Sequence, residues 1–259
     1  MRVILLSLVL ALSCLSAQAM EAMKPKANLT ILTDEAMLLP LAQIARAYAS
    51  ETQTPLTIVV KQADSAQQQI EQGLEAHLLI TSNYPLIEQL TTQGLTDVSS
   101  RKAIARTQLA LVTASDLGQQ AGVAKRISFA SILAATPNLP IYTHEATTIE
   151  GARASVLLTG FEFSDTLATR LATKSSHDEI ITALRDGPSL GLILAAEAVA
   201  EPDIRVISLL PEELSPPVNY DAVVLGSELM AESTAFANYL STRKTRAIFT
   251  QFGYQPPAN

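Results

Sequence analysis

The alternation of apolar and polar residues is clearest between residues 28 and 48. Residues 29–32 form a bounded apolar and β-branched run, which predicts a buried strand. Apolar residues then recur on one face of a predicted helix, at Met37, Leu41, Ile44 and Tyr48. Pro40 cannot donate an intrahelical hydrogen bond, so it belongs to the first turn and the helix is predicted to begin near residue 36 or 37.

The loop of this unit contains Thr33, Asp34 and Glu35. It lies where open α/β sheets bind ligands, past the carboxyl end of a strand and before a helix. We therefore expect this loop to form one side of a ligand cleft. The alternative is that Asp34 and Glu35 only cap the helix and complement its dipole.

The alternation of strand and helix continues through the first half of the chain. Strands are predicted at residues 56–60 and 77–81, and a polar turn and a helical segment follow each of them. Strands separated by helices at this spacing are typical of βαβ units and a parallel sheet.

The second half is less regular but carries further signals. Strands are predicted at residues 107–113, 139–143, 190–194 and 219–225, and helices at residues 149–158, 164–172 and 178–184, with two more helices closing the chain. The fold class is therefore α/β. We predict two lobes, residues 28–108 with 225–259 and residues 112–219, and hinge-crossing strands near residues 107–113 and 219–225.

The first nineteen residues follow the pattern of a secretory signal peptide. Arg2 precedes an apolar run over residues 3–15, and residues 17–19 form a small-x-small cleavage site. The alternative is lipidation at Cys14, because residues 11–14 loosely match a lipobox. No other apolar run in the sequence approaches the roughly 18 residues that a membrane helix needs. We therefore expect an exported, periplasmic protein.

Composition narrows the classes of function. The net charge is −7 without a Lys/Arg cluster, which argues against nucleic acid or an anionic membrane surface as a partner. The one cysteine lies in the predicted signal, so the rest of the chain has no disulfide. The sequence contains no G-x-S-x-G elbow, P-loop, H-E-x-x-H or dinucleotide fingerprint, so we expect neither enzymatic activity nor a cofactor.

Five segments together resemble one known family. They are LTILTDEAM leading into LAQIARAY, QQIEQGLEAHLLITS, ARTQLALVTASD, LPEELSPPVNYDAVVL and AIFTQFGYQPP, in this order. They are similar to the molybdate-binding family of periplasmic proteins, which are solute receptors of ABC importers with the type II periplasmic binding protein fold. The resemblance implies a monomeric Venus flytrap whose two lobes close over a small-molecule or ion ligand and then dock on an ABC permease.

The resemblance also implies where the ligand binds. The family's A-A-A-S-L motif aligns with residues 33–37, its G-S-S-G motif aligns with residues 61–64, and its anion-binding turn corresponds to residues 145–151. A family tyrosine aligns with Leu194. A family valine aligns near residue 176 or 177, depending on one gap in the alignment. The implied ligand-binding positions are Thr33, Ala36, Gln62, Ala63, Thr147, Thr148, His177 and Leu194.

Several of these positions lack the hydroxyl groups that hold an oxyanion in the family. A dianion is held by convergent N–H and O–H donors, and each charge-assisted bond contributes roughly 1.5 to 3 kcal/mol. Carboxylates at the same helix end would also repel it. We therefore expect an altered ligand preference. Lys61 remains as a contact for an anion, whereas a cation would suit the side chains of Asp34, Glu35, Asp64, His144, Glu145 and His177.

The alternative for the cation set is a group of solvated loop residues. No pair in it has a spacing that is diagnostic of a metal site, so no metal site is predicted. The leading hypothesis is a receptor of a molybdate-type ABC importer for a molybdate- or tungstate-like oxyanion, with an altered ligand preference. The alternative is a flytrap module that has lost its import role and acts as a sensor, binding a cation, another solute or a protein partner.

Overall fold

The computed structural model describes residues 28–61, 63–114, 128–157, 164–226 and 229–258, without the side chains of residues 63, 64, 149, 164 and 166. The predicted signal peptide, Cys14 and Gln62 lie outside the described residues, as do the side chains of Ala63 and Asp64. Two five-stranded mixed sheets organise the described chain.

The first sheet has the strand order β2-β1-β3-β10-β4. Its strands are β1 (Leu29–Thr33), β2 (Leu56–Val60), β3 (Leu78–Thr81), β4 (Thr96–Thr107) and β10 (Val218–Leu225). β1 is parallel to β2 and β3, whereas β10 is antiparallel to β3 and β4. After a short 3-10 turn at Glu35–Met37, the accompanying helices are α1 (Leu38–Thr52), α2 (Ala63–Glu71), α3 (Tyr84–Thr92), α9 (Met230–Tyr239) and α10 (Arg243–Gln251).

The second sheet has the order β7-β6-β8-β5-β9. Its strands are β5 (Leu109–Ala114), β6 (Ile141–His144), β7 (Leu171–Lys174), β8 (Leu190–Leu194) and β9 (Ile204–Leu209). β6 is parallel to β7 and β8, and β5 is antiparallel to β8 and β9. The helices are α4 (Phe129–Ala135), α5 (Ile149–Val156), α6 (Ser164–Ala168), α7 (His177–Asp186) and α8 (Ala195–Ala200).

The chain crosses between the two sheets at Gln108 and along residues 210–217. Gln108 divides the run predicted at 107–113 between the end of β4 and the start of β5. The second crossing precedes the segment predicted at 219–225, because β10 pairs along its length with β3 and β4 of the first sheet. The lobe boundaries themselves stay a prediction.

One cluster of buried residues connects both sheets. Ile31 and Leu78 of the first sheet and Leu109 and Leu192 of the second belong to it, together with Tyr220 of β10. Because side chains alternate along a strand, the neighbouring residues of each sheet face away from this cluster and pack in two smaller ones. The described core thus has a shared centre and a separate layer on the far side of each sheet.

One predicted helix differs from the structure, and two strands were not predicted. Residues 164–172, predicted as one helix, form the short α6 and then the strand β7, whose residues are half-buried or exposed at the sheet edge. β4 and β9 were not predicted, and both are also edge strands with several exposed residues. In the part of the chain that the structure describes, no helix has both the length and the apolar character of a membrane span.

Candidate functional site

Polar side chains collect at the carboxyl ends of the parallel strands in both sheets. In the first sheet these are the residues after β1 and β3, and in the second sheet the residues at the ends of β6, β7 and β8. Helix N-termini follow at these positions. Such edges are the usual ligand-binding places of open α/β sheets.

The two edges face a common region that contains Tyr220 and Tyr254. Both tyrosines are buried, and their rings meet edge to face with centroids 5.6 Å apart. Burial is the largest cause of their raised pKa values, and the charges of Asp34, Glu150 and Glu197 add to it. Carboxylates from the first sheet and from the second therefore lie near the same pair of rings.

Asp34 follows β1 and is held by the loop after β3. Thr81 Oγ1 lies 3.0 Å from both carboxylate oxygens and donates to them, and the Ser82 N–H donates to Oδ2 at 3.1 Å. Burial raises the pKa of Asp34, and these hydrogen bonds oppose the shift. The donors of Thr81 and Ser82 are therefore engaged by a side chain of the protein itself.

His144 ends β6 and faces a carboxylate from α8. Its side chain is 9% exposed, and its Nε2 lies 3.6 Å from Oε1 of Glu197. The other oxygen of Glu197 accepts a hydrogen bond from the Leu194 N–H at 3.0 Å, which fixes the carboxylate at the start of α8. Burial opposes the charged imidazole, but the nearby carboxylate of Glu197 and then the charge of Glu150 raise the pKa of His144.

His177 begins α7 beside His144. The two imidazole rings are nearly parallel, with an interplanar angle of 14° and centroids 6.2 Å apart. His177 Nε2 lies 3.6 Å from Glu201 Oε1. One ligand atom each from His144, His177 and Glu197 lies within 4.8 Å of the others. Two imidazoles and a carboxylate are a donor set for divalent transition metals.

The turn between β6 and α5 satisfies its own polar groups. Thr148 Oγ1 accepts from the Gly151 N–H at 3.0 Å and donates to the Glu145 carbonyl at 3.1 Å. Glu150 lies in the first turn of α5, where burial and then the charge of Glu197 raise its pKa. Thr147 is exposed, and so is Glu145. This turn adds a carboxylate to the site, while the hydroxyl of Thr148 is already engaged.

The remaining positions implied by the resemblance lie around the first edge and at the end of β8. Thr33 Oγ1 donates to the Ile80 carbonyl, and the Ala36 carbonyl accepts from Tyr254 Oη at 2.7 Å. Leu194 is fully buried, and Lys61 is half-buried with its N–H on the Thr33 carbonyl. Glu35 is exposed. Their roles as ligand contacts stay predictions.

A cavity of about 430 Å³ adjoins the first edge. Thr81 and Ser82 line it together with two cations, Arg101 and Arg153. Arg101 forms a salt bridge with Asp221, and Arg153 donates to backbone carbonyls of the crossing segment 210–217. Both guanidinium groups are thus bound to partners within the protein.

The sequence did not identify Glu197, Glu150 or Tyr254 as parts of the site. Glu197 lies in an alanine-rich helix without a metal-ligand spacing, and its partners come from two other elements. Its position three residues after the end of β8 is a capping signal, and this could have placed it at the sheet edge.

Comparison with known proteins agrees with this architecture. A family model described as bacterial extracellular solute-binding protein matches residues 29–255. The molybdate-binding protein ModA of Escherichia coli K12 is 21% identical over 249 residues, which cover 92% of this chain and 93% of that protein.

Solved structures show the same fold. A substrate-binding domain attributed to a molybdenum ABC transporter of Clostridium difficile superposes with a TM-score of 0.79 at 22% identity, covering 89% of this chain and 99% of that one. The periplasmic molybdate-binding protein of Azotobacter vinelandii gives a TM-score of 0.67 at 20% identity, covering 89% and 100%.

These matches confirm the predicted two-lobed α/β fold and the resemblance to periplasmic molybdate-binding proteins. The proteins matched are binding proteins. The family model spans nearly all of the described residues, and the chain belongs to the family of bacterial extracellular solute-binding proteins.

Proposed function

We propose that this protein is the periplasmic receptor of an ABC importer, and that it captures a small ligand between its two sheets and delivers it to a membrane permease. The observation that carries the proposal is the convergence of both carboxyl edges on Tyr220 and Tyr254, with charged side chains from each sheet close to them. Relatives named for molybdate binding and molybdenum transport support the role.

The chemistry of the edges favours a ligand other than the oxyanion of those relatives. Asp34, Glu150 and Glu197 place three carboxylates in the region where the sheets face each other. The hydroxyls of Thr33, Thr81 and Thr148 are already hydrogen-bonded to groups of the protein. An oxyanion would therefore meet like charges and few free donors, and its binding would lose several kcal/mol relative to a donor-lined site, on the scale of roughly 1.5 to 3 kcal/mol per charge-assisted bond.

Import is tested by deleting the gene in its native host under limiting supply of each element. Cell content of molybdenum, tungsten and first-row transition metals is measured by mass spectrometry, with the wild-type gene supplied from a plasmid as the control. We expect the content of one element to fall several-fold and to recover with the plasmid. Unchanged content of all these elements, together with no closure on ligand addition by small-angle scattering, would refute the receptor role.

A further inference from the structure

The histidines and the glutamate at the edge of the second sheet lead to one further assignment. We propose that His144, His177 and Glu197 bind one divalent transition-metal ion, and that this ion is the solute captured in the cleft. The identification of the ion as cargo rests on the receptor function proposed above, whereas the binding site itself stands on the geometry of these three side chains.

The spacing of the ligand atoms suits a tetrahedral ion. Metal–ligand distances near 2.0–2.2 Å for imidazole nitrogen and carboxylate oxygen require ligand atoms about 3.4 Å apart in a tetrahedron. His144 Nε2 and Glu197 Oε1 are 3.6 Å apart, and the full set of three lies within 4.8 Å. Small side-chain rotations close the remaining gap, because His177 is at a helix start and partly exposed.

Two imidazole nitrogens at this site are left without a hydrogen bond to any of the described residues. His144 Nε2 and His177 Nδ1 are both buried, and neither has a hydrogen-bond partner among them. His144 is 7% exposed, so an unpaired nitrogen there costs free energy in the absence of a ligand. A metal ion accepts the lone pair of each nitrogen and removes that cost.

Outer groups already orient the proposed ligands. His177 Nε2 faces Glu201, 3.6 Å away, which is the carboxylate–histidine–metal arrangement that fixes the tautomer. Glu201 is itself held by Arg185 at 2.9 Å. The carboxylate of Glu197 is fixed through its second oxygen by the Leu194 N–H. Each of two proposed ligands is therefore held by an outer partner.

The charges around the site favour a cation. Glu150 interacts electrostatically with both His144 and Glu197 and adds a second carboxylate from α5. Arg153, the cation of that helix, donates to the carbonyls of Pro216 and Pro217, and Arg185 on α7 pairs with Glu201 and Asp203. With neutral histidines, the carboxylates of Glu150 and Glu197 give the site a net negative charge, which a divalent cation can balance.

The position is also the one from which a solute can be captured. His144 ends β6, His177 follows β7 at the start of α7, and Glu197 follows β8. Three adjacent carboxyl ends of the second sheet thus supply the ligands. A set of three protein ligands leaves a fourth coordination position, as in sites that exchange water for another ligand.

The test uses the mature protein without an affinity tag, stripped of metal by a chelator and dialysed against Zn²⁺ or Co²⁺. Metal content per chain is measured by mass spectrometry, and Co²⁺ absorption in the visible region reports the coordination number. We expect one ion per chain. His144→Gln, His177→Gln and Glu197→Gln should each weaken binding by about 100-fold or more, and Glu201→Gln by roughly 10-fold, the effect typical of an outer partner.

Asp178→Asn is the matched control, because Asp178 is an exposed carboxylate directly after His177 and outside the proposed ligand set. It should bind metal as the wild type does, and circular dichroism of every variant checks its fold. Absence of stoichiometric metal binding, or binding that survives in both histidine variants, would overturn the assignment. So would tight molybdate binding by protein that takes up no metal, although the receptor role would then stand.

Discussion

Asp34 shows how a single residue changes the character of the first edge. Its carboxylate accepts hydrogen bonds from the Thr81 hydroxyl and the Ser82 N–H, and burial raises the pKa of Asp34. The folded protein therefore holds the proton of Asp34 more tightly than the unfolded chain does. The contribution of this group to stability is most favourable at low pH, where the carboxyl is protonated in both states, and it is lost as pH rises through the folded-state pKa.

The corresponding prediction concerns Asp34→Asn, which keeps an acceptor for one of these donors and cannot ionise. The variant should become more stable relative to the wild type as pH rises from about 4, the pKa of an aspartate in the unfolded chain, towards neutrality. Its free energy of unfolding minus that of the wild type should therefore increase over this range. Urea unfolding at a series of pH values measures this difference. A difference that stays constant or moves the other way would contradict the role of burial.

Tyr254 contributes one hydrogen bond to the junction of the two sheets. Its hydroxyl donates to the Ala36 carbonyl at 2.7 Å in a buried setting. Tyr254→Phe should lower the free energy of unfolding by about 1 to 3 kcal/mol, because the carbonyl loses this partner. Tyr239→Phe is the comparison, since its hydroxyl bonds Glu51 at the exposed surface and its loss should cost less than about 1 kcal/mol. Equal losses in both variants would argue against a special role for Tyr254.

The turn that carries His144 depends on the glycine of α5. A Cβ on Gly151 would overlap the backbone of Glu145 and come within 2.5 Å of the His144 carbonyl. Backbone atoms cannot move away as the end of a flexible side chain can. Gly151→Ala should therefore shift this turn, lower stability by roughly 1 to 3 kcal/mol and weaken ligand binding at the second edge.

Gly187→Ala is the control for that substitution, because a Cβ there meets nothing within 4 Å and its φ of 173° is extended backbone. It should change the free energy of unfolding by no more than about 0.5 kcal/mol. Thermal unfolding with and without ligand measures both effects. Normal stability of Gly151→Ala would mean that the turn does not need this close approach.

The elements that the sequence predicted share a physical property. β1, β3 and β8 lie inside their sheets, so apolar runs such as LTILT and LGLIL mark them clearly. β4, β7 and β9 lie at sheet edges, where half of the residues face water and no apolar run forms. Three of the four edge strands were therefore missed, whereas β2, the fourth, was predicted because its LTIVV segment is an apolar run.

The site followed the same division between local and long-range information. His144 and His177 could be named as candidates because the resemblance to periplasmic molybdate-binding proteins implies that both lie near the ligand cleft. Their relation to Glu197 depends on the order β7-β6-β8, which brings Glu197 close to His144, 53 positions earlier, and to His177, 20 positions earlier. The sequence shows which side chains can bind a metal, whereas only the strand order shows that these three lie close together.

At the scale of the whole molecule, the shared core couples the two sheets. Residues from both belong to one buried cluster, and Tyr220 lies in it at the junction, 2% exposed. Neither sheet can lose its packing without exposing apolar surface of the other. We therefore predict a single thermal transition in calorimetry, with equal calorimetric and van't Hoff enthalpies, although two-lobed chains of this length often unfold in steps.

Tyr220→Ala tests this coupling directly. It should cost roughly 3 to 5 kcal/mol, as expected for deleting a buried aromatic ring, and should broaden or divide the transition because the cavity lies between the sheets. Tyr84→Ala removes a ring that is 48% exposed and should leave one transition. A bound ligand at 100 times its dissociation constant should add about 2.7 kcal/mol to the wild type while keeping one transition. Two resolved transitions in the wild-type protein would show that the sheets unfold independently and that the shared cluster does not couple them.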